Sequence, residues 1–298
     1  MAKVMNLQNS SMGDKSLKSL LLAQGKIDFV RRTTIDNGRS YASSGGDCSR
    51  KNVLTNSPNV LPDDLKTSQG SLTLNLYGAI GEAAHTFIQK LCKNAGILLF
   101  GEYKLPNVLG INVGGRLDGF ILFQNRLRLL EIKTCGSLPF SIKPEHKNQS
   151  IFYSAITGLQ PYIFYVARNV MTFQEPWLVS EFDMTVTEKQ KEDILIHYVY
   201  SDLAFKSGKI PKRPFYTSTA PACKYCIFKS LCWSDNLSEL ELSEQENIDI
   251  LKQAEAIAKR IYDNTTARRN GILKHVERFG YQPVSEKVLH NTNWSDLI

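Results

Sequence analysis

The chain has 298 residues, 42% of them hydrophobic and 22% charged, an ordinary balance for a globular protein with one large core or two smaller ones. Its formal net charge of +7 permits a nucleic-acid partner without demanding one. No run approaches the ~18 apolar residues of a membrane span. The patch at Leu20–Ala23 is too short for a secretory signal, so a cytoplasmic protein with no membrane partner is expected. In that compartment thiols stay reduced, and the six cysteines read as ligands plus bystanders, not disulfides.

Residues 1–70 are polar and weakly patterned, with a short apolar stretch around Ser16–Val30. Between 72 and 95, Leu76, Ile80, Ala83, Ala84, Phe87, Ile88 and Leu91 recur at helical spacing on one broad face, and Asn94 with Gly96 makes a stop. Strand-like runs follow at 96–106, 110–123 and 126–135. A helix is predicted from Pro144 to about Gly158, then buried strands at 161–168 and 176–182, and a helix from Thr187 to Phe205. A proline-rich loop leads to a cysteine cluster, and 237–279 read as one or two charged amphipathic helices. The order predicts an α/β arrangement with a central mixed sheet flanked by helices. No GxxxxGK[ST] loop is present, which excludes a P-loop ATP motor in this chain.

Two acids stand out in GGRLDGFILFQNRLRLLEIKTCG. If the hairpin turns at Gln124–Asn125, Asp118 faces Glu131 with Cβ atoms about 5 Å apart. Lys133, two residues on, shares that face. Carboxylates among Leu, Ile and Phe are costly unless a positive charge lies between them. Lys133 can supply it, and so can Mg²⁺ or Mn²⁺, the cations that hard oxygen ligands prefer. The plainer alternative is an acid–acid–lysine cluster at a solvated sheet edge. His85, flanked by small alanines, offers an imidazole to the same shell. Gln149 and Tyr153 share a face of the next helix at i,i+4.

These residues occur as four ordered motifs: Gly81-Glu-Ala-Ala-His85, Gly115-Arg-Leu-Asp118, Glu131-Ile-Lys133 and Gln149-Ser-Ile-Phe-Tyr153. Together they resemble the PD-(D/E)XK superfamily, in its RecB-type nuclease branch. The resemblance implies a restriction-endonuclease-like core. His85, Asp118, Glu131 and the backbone carbonyl of Ile132 would hold the metal. Lys133 would orient or help activate the attacking water, and Gln149 and Tyr153 would position the DNA strand and support the site.

CKYCIFKSLC places Cys223, Cys226 and Cys232 in a C-x2-C-x5-C pattern that lacks a fourth ligand. Cys92 and Cys135 fall in packing contexts. Cys48, in GGDCSRKN, does not. A zinc tetrathiolate remains open, although zinc ribbons normally place a second close pair. One upstream and three downstream cysteines around such a core resemble the iron–sulfur nucleases, including AddB-type domains and the CRISPR-associated exonucleases. That resemblance implies a [4Fe–4S] clamp held by Cys48, Cys223, Cys226 and Cys232, joining the N- and C-terminal parts. The expected organisation is an extension at 1–40, a nuclease domain with its clamp at 41–235 and a helical extension at 236–298.

Cations beside aromatics in KIPKRPFY and KYCIFK make Lys212, Arg213, Phe215, Tyr216 and Lys224 candidate DNA contacts, with solvated loop cations as the bland alternative, and Arg50, Lys51 and Arg116 are further candidate contacts. The expected activity is Mg²⁺- or Mn²⁺-dependent exonuclease action on single-stranded DNA ends, in phage recombination, DNA degradation or CRISPR adaptation. A separate helicase, recombinase or CRISPR integrase is an implied partner, and an oligomer is allowed. The contrasting expectation is a non-catalytic DNA-binding or scaffold subunit that keeps the fold.

Overall fold

The computed structural model describes residues 40–41, 48–57, 68–105, 113–167, 179–224 and 226–279. The extension at 1–40 therefore lies almost wholly outside the described residues. In chain order the elements are β1 (Ser40–Tyr41), α1 (Ser49–Asn56), α2 (Ser68–Asn94), β2 (Leu98–Lys104), β3 (Val113–Gly114), β4 (Arg116–Phe123), β5 (Arg126–Cys135), α3 (Pro144–Thr157), β6 (Gln160–Ala167), β7 (Val179–Asp183) and α4 (Glu188–Lys206). Two single-turn helices, α5 (Pro221–Lys224) and α6 (Lys229–Cys232), precede α7 (Glu244–Asp263) and α8 (Thr265–Phe279).

Five strands form a mixed sheet in the order β2-β4-β5-β6-β7, parallel only at β5–β6. Gln124 and Asn125, both at positive φ, turn the β4–β5 hairpin in two residues. The turn sets the expected register: Phe123 pairs with Arg126 and Gly119 with Leu130. Because β5 and β6 run parallel, the connection must cross over, and α3 supplies it. Pro144 sits in the first turn of α3, and Gly158, at φ 72°, ends it with its N–H on the Ser154 carbonyl. A capping box of Thr187 and Gln190 starts α4.

The alternation of β4, β5 and β6 divides the core between two faces. Phe120, Leu129, Ile163 and Tyr165 pack with α3, α4 and α7. Ile121, Leu130, Ile132 and Tyr162 pack with Ile88 of α2 on the other face. Three residues expected on the buried face of α2 lie open instead: Ile80, Phe87 and Leu91 are each more than two-fifths exposed. Among the described side chains of α2, Ile88 is buried in the sheet core and Cys92 packs against it, so the helix seats a narrower stripe than its apolar spacing suggests.

The helices beyond 236 are not an outlying extension. Ala254, Ala258 and Ile261 of α7 are buried in the main core, and Thr265 of α8 donates to the Ala155 carbonyl of α3 at 2.7 Å. A boundary at 235 would cut through that core. A smaller cluster docks α1 onto the C-terminal part, with Val53 and Leu54 against Ala204, Ile210, Phe228, Leu237 and Leu242. No helix among the described residues is long and apolar enough to cross a membrane.

Candidate active site and cysteine site

The β4–β5 ladder stops at Gly119–Leu130, one residue short of the two acids. Past that point the Ile132 amide donates to Asp118 Oδ2 at 2.7 Å, so a side chain takes the place of a strand carbonyl. Asp118 Oδ1 meets His85 Nδ1 of α2 at 3.0 Å, and Gln89, one helical turn further on, donates to the Asp118 carbonyl at 2.7 Å. Asp118 is thus fixed from both the sheet and α2.

Glu131 is 1% exposed. Its Oε2 accepts from Lys133 Nζ at 2.9 Å, while its Oε1 is buried with no partner. Burial above all, with the Asp118 charge adding to it, pushes the Glu131 carboxyl up to about 7, against the pull of Lys133. Burial alone would pull the Lys133 ammonium down, but the Glu131 and Asp118 charges outweigh it, and the net shift is upward. Lys133 is therefore a firmly charged cation beside a carboxylate that lacks full compensation.

From Lys133 a directed chain of hydrogen bonds runs into the protein. Lys133 Nζ donates to Gln149 Oε1 at 2.7 Å, Gln149 Nε2 to the Tyr153 hydroxyl at 3.0 Å, and that hydroxyl to the Arg116 carbonyl at 3.3 Å. Burial, with the Glu131 charge behind it, holds the Tyr153 phenol well above its ordinary value and keeps it a donor. Tyr153 is 1% exposed, so it supports the site from behind. Its ring fits only because position 115 is glycine: a Cβ there would stand 2.6 Å from Tyr153 Cε1.

Two neighbours went unread in the sequence. Tyr165 pairs with Lys133 across the parallel ladder, and its hydroxyl meets His146 Nδ1 at 2.8 Å and the Lys143 amide at 3.2 Å. Finding Tyr165 required the β5–β6 register, which no local pattern carries. Gln89 had a usable signal, since it lies i+4 from His85 on one helical face.

Among the described residues, no three His, Cys, Asp or Glu side chains are gathered into a ready-made metal shell. The donor chemistry nonetheless fits a hard divalent cation. The unpartnered Glu131 Oε1 lies buried beside Asp118, whose charge raises the Glu131 carboxyl, and Asp118 holds His85. A buried carboxylate oxygen without a donor is costly, and a cation removes that cost.

Cys48, Cys223, Cys226 and Cys232 line one concavity together with Lys51, Arg213, Phe215 and Trp233. Burial raises the Cys48 thiol, and Cys232 and Cys226 add to the rise. Such thiols give up their protons when a soft cation takes the sulfur, so the set fits a thiolate-bound metal or cluster. Cys92 and Cys135 lie elsewhere; Cys135 is buried with its thiol on the Val166 carbonyl.

Arg50 is wholly buried, which removes it from the candidate DNA contacts. Its Nη1 donates to the Pro211 carbonyl at 2.8 Å and to Glu241 Oε1 at 2.6 Å. Cys232 is its neighbour: burial raises that thiol, and the Arg50 charge and a hydrogen bond from its side chain pull it back down. Arg213 is likewise occupied, donating to the Cys232 carbonyl at 2.9 Å with its guanidinium 4.9 Å from the Trp233 ring centre. Arg116 is exposed in an ion pair with Glu102, and Lys212 and Tyr216 are open to solvent.

No protein-family model matches the chain, and no curated protein matches it. Among solved structures, the crystal structure of SSO0001 is 18% identical, aligned over 72% of this chain and 95% of its own, with a TM-score of 0.45. A likeness of that size assigns no function.

Proposed function

We propose that this protein is a metal-dependent deoxyribonuclease of the RecB-type PD-(D/E)XK class, an exonuclease acting on single-stranded DNA ends and carrying a [4Fe–4S] clamp. The observation that carries the reading is the unpartnered, buried Glu131 Oε1 beside Asp118, with a charged Lys133 held against the same carboxylate. His85, Asp118 and Glu131, with the Ile132 carbonyl, would hold Mg²⁺ or Mn²⁺. Bound there, the ion supplies Lewis acidity toward a phosphodiester and makes an attacking water acidic near neutral pH.

The chain's own residues do the positioning. Glu131 and Gln149 engage two of the three Lys133 N–H bonds, leaving the third for a water or a phosphate oxygen. Gln149 and Tyr153 fix the ammonium by a chain that ends on the backbone. Asp118, bonded to an amide and an imidazole, keeps its place without crossing to Lys133. This preorganisation aims positive charge where negative charge develops, at no reorganisation cost during the reaction.

Cys48, Cys223, Cys226 and Cys232 would hold the cluster, which supplies a cross-link between the parts of the chain before and after the sheet. Arg50 would place a buried positive charge beside a cluster of thiolates.

The test is end-labelled single-stranded DNA with Mn²⁺ and the full chain, using 5′- and 3′-labelled strands to read polarity. A product ladder from wild type and none from Asp118→Ala is expected. No cleavage by wild type, or undiminished cleavage by Asp118→Ala, rejects the enzyme reading. For the clamp, anaerobically purified protein is expected to bind about four irons per chain; stoichiometric zinc without iron rejects it.

A further inference from the structure

Phe140 is as exposed as a side chain can be, at 106% of its reference area. It lies in the connection between β5, which carries Glu131 and Lys133, and α3, which carries Gln149. Exposed phenylalanine is not unusual in a mobile tail, but this segment is pinned on both sides. Leu138 and Ile142, two residues before and two after, pack against the main core. The Lys143 amide donates to the Tyr165 hydroxyl at 3.2 Å, and Tyr165 pairs with Lys133 in the sheet. The backbone thus turns apolar side chains inward at 138 and 142 and holds a bare aromatic ring outward between them.

Position relative to the site follows from chain length. Three residues span at most about 10 Å, so the Phe140 backbone lies within that reach of Lys143, which touches the residue beside Lys133. The surroundings suit a polyanion: Lys143, three residues on, is half-buried and Lys147 is exposed one turn into α3, and the one acid between Phe140 and Lys147 is Glu145. An aromatic face with flanking cations is the pairing by which proteins hold single-stranded nucleic acid without reading its sequence.

We propose that Phe140 is a stacking platform for one nucleobase of a single strand whose backbone enters the Glu131–Lys133 site. This rests on the deoxyribonuclease reading above. The ligand is a nucleobase of any identity, since every base has a π-face. The platform fixes the distance between an unpaired base and the bond to be cut, and a base held in a duplex stack cannot use it.

The test is binding of fluorescent single-stranded DNA to the full chain in EDTA, with a set of oligonucleotides carrying one abasic site at successive positions from the end. Phe140→Ala is expected to bind intact DNA about 5- to 100-fold more weakly than wild type. Phe140→Trp is expected to restore binding. At one abasic position, wild type and Phe140→Ala are expected to bind alike, because the base that would stack is missing. If wild type binds and Phe140→Ala binds equally well, the platform is rejected while the deoxyribonuclease reading stands. A loss that no abasic position absorbs also rejects it, as does a change only in the eluted size of the protein, which would assign the ring to a protein contact. If wild type itself does not bind single-stranded DNA, both readings fall.

Discussion

Lys133 donates to Gln149 at 2.7 Å, slightly shorter than its 2.9 Å contact with Glu131. An ammonium held by two acceptors from different elements, strand and crossover helix, cannot swing with the carboxylate alone. Gln149→Leu keeps size and loses both hydrogen bonds. Hydrogen bonds to charged groups contribute about 1.5–3 kcal/mol, so a fall in kcat of about 10- to 100-fold is expected, with little change in KM. Steady-state cleavage rates would show it. A loss confined to KM would instead place Gln149 against the DNA.

Gly115 and Tyr153 form the second coupling. A methyl group at 115 would meet Tyr153 Cε1 at 2.6 Å and the Leu105 side chain at 3.1 Å, and both are buried. Gly115→Ala is expected to cost about 1–3 kcal/mol by overpacking. It should also lower activity, because the displaced ring carries the hydroxyl that Gln149 leans on. A paired measurement of urea midpoint and cleavage rate checks both. Normal stability with normal activity would mean that the ring has another seat.

These two couplings show where the sequence is legible. The β4–β5 register follows from a two-residue turn with both residues at positive φ, so it could be counted along the strands as far as Gly119–Leu130, where the ladder ends one residue short of Asp118 and Glu131. The helix from Pro144 to Gly158 was readable because its start and stop residues are local signals. Tyr165 was not readable, because a parallel pairing is set by the packing of α3 and not by any turn. The role of Arg50 was misread for a related reason. Next to Lys51 in a polar stretch it reads as a surface cation, whereas its partners Pro211 and Glu241 lie far along the chain. Ile80, Phe87 and Leu91 show the converse: helical periodicity identifies an apolar face but not how much of it is buried.

The ion pair of Arg50 with Glu241 ties α1 to the C-terminal part without any metal. Arg50→Met leaves Glu241 and the Pro211 carbonyl without their donor. Breaking a buried pair costs about 3–5 kcal/mol, and because Glu241 is 24% exposed the expected loss is nearer the lower end. Arg50→Lys should recover little, because a point charge cannot reach two acceptors as a fork does. Urea denaturation of the three proteins tests this. The salt dependence of DNA binding should be unchanged by Arg50→Met, whereas Lys212→Ala, which removes an exposed cation, should lower the slope by about one. The opposite ranking would return Arg50 to the DNA surface.

His146 gives the fold a pH dependence of defined sign. Burial first, then the Lys133 and Lys143 charges, lower its imidazole from 6.5 to about 3. The fold therefore holds a neutral ring whose Nδ1 shares a hydrogen bond with the Tyr165 hydroxyl. Glu145 on the same helix and Tyr165 on β6 are the other titratable groups at this spot, and neither reverses the balance. Stability from the neutral ring is complete above pH 6.5, the value the unfolded chain keeps, and is lost as pH falls toward 3. At pH 5 the loss is at most about 2 kcal/mol, and the partly exposed ring brings it below that. His146→Gln keeps an acceptor and cannot take a charge. The difference in urea midpoint between wild type and this variant should therefore shrink from pH 7 to pH 4.5. Lys133→Met removes one of the two cations, so the His146 ring resonances should titrate at higher pH in that variant. Identical pH profiles for wild type and His146→Gln would mean that the ring is solvated and that its contact with Tyr165 breaks readily on protonation.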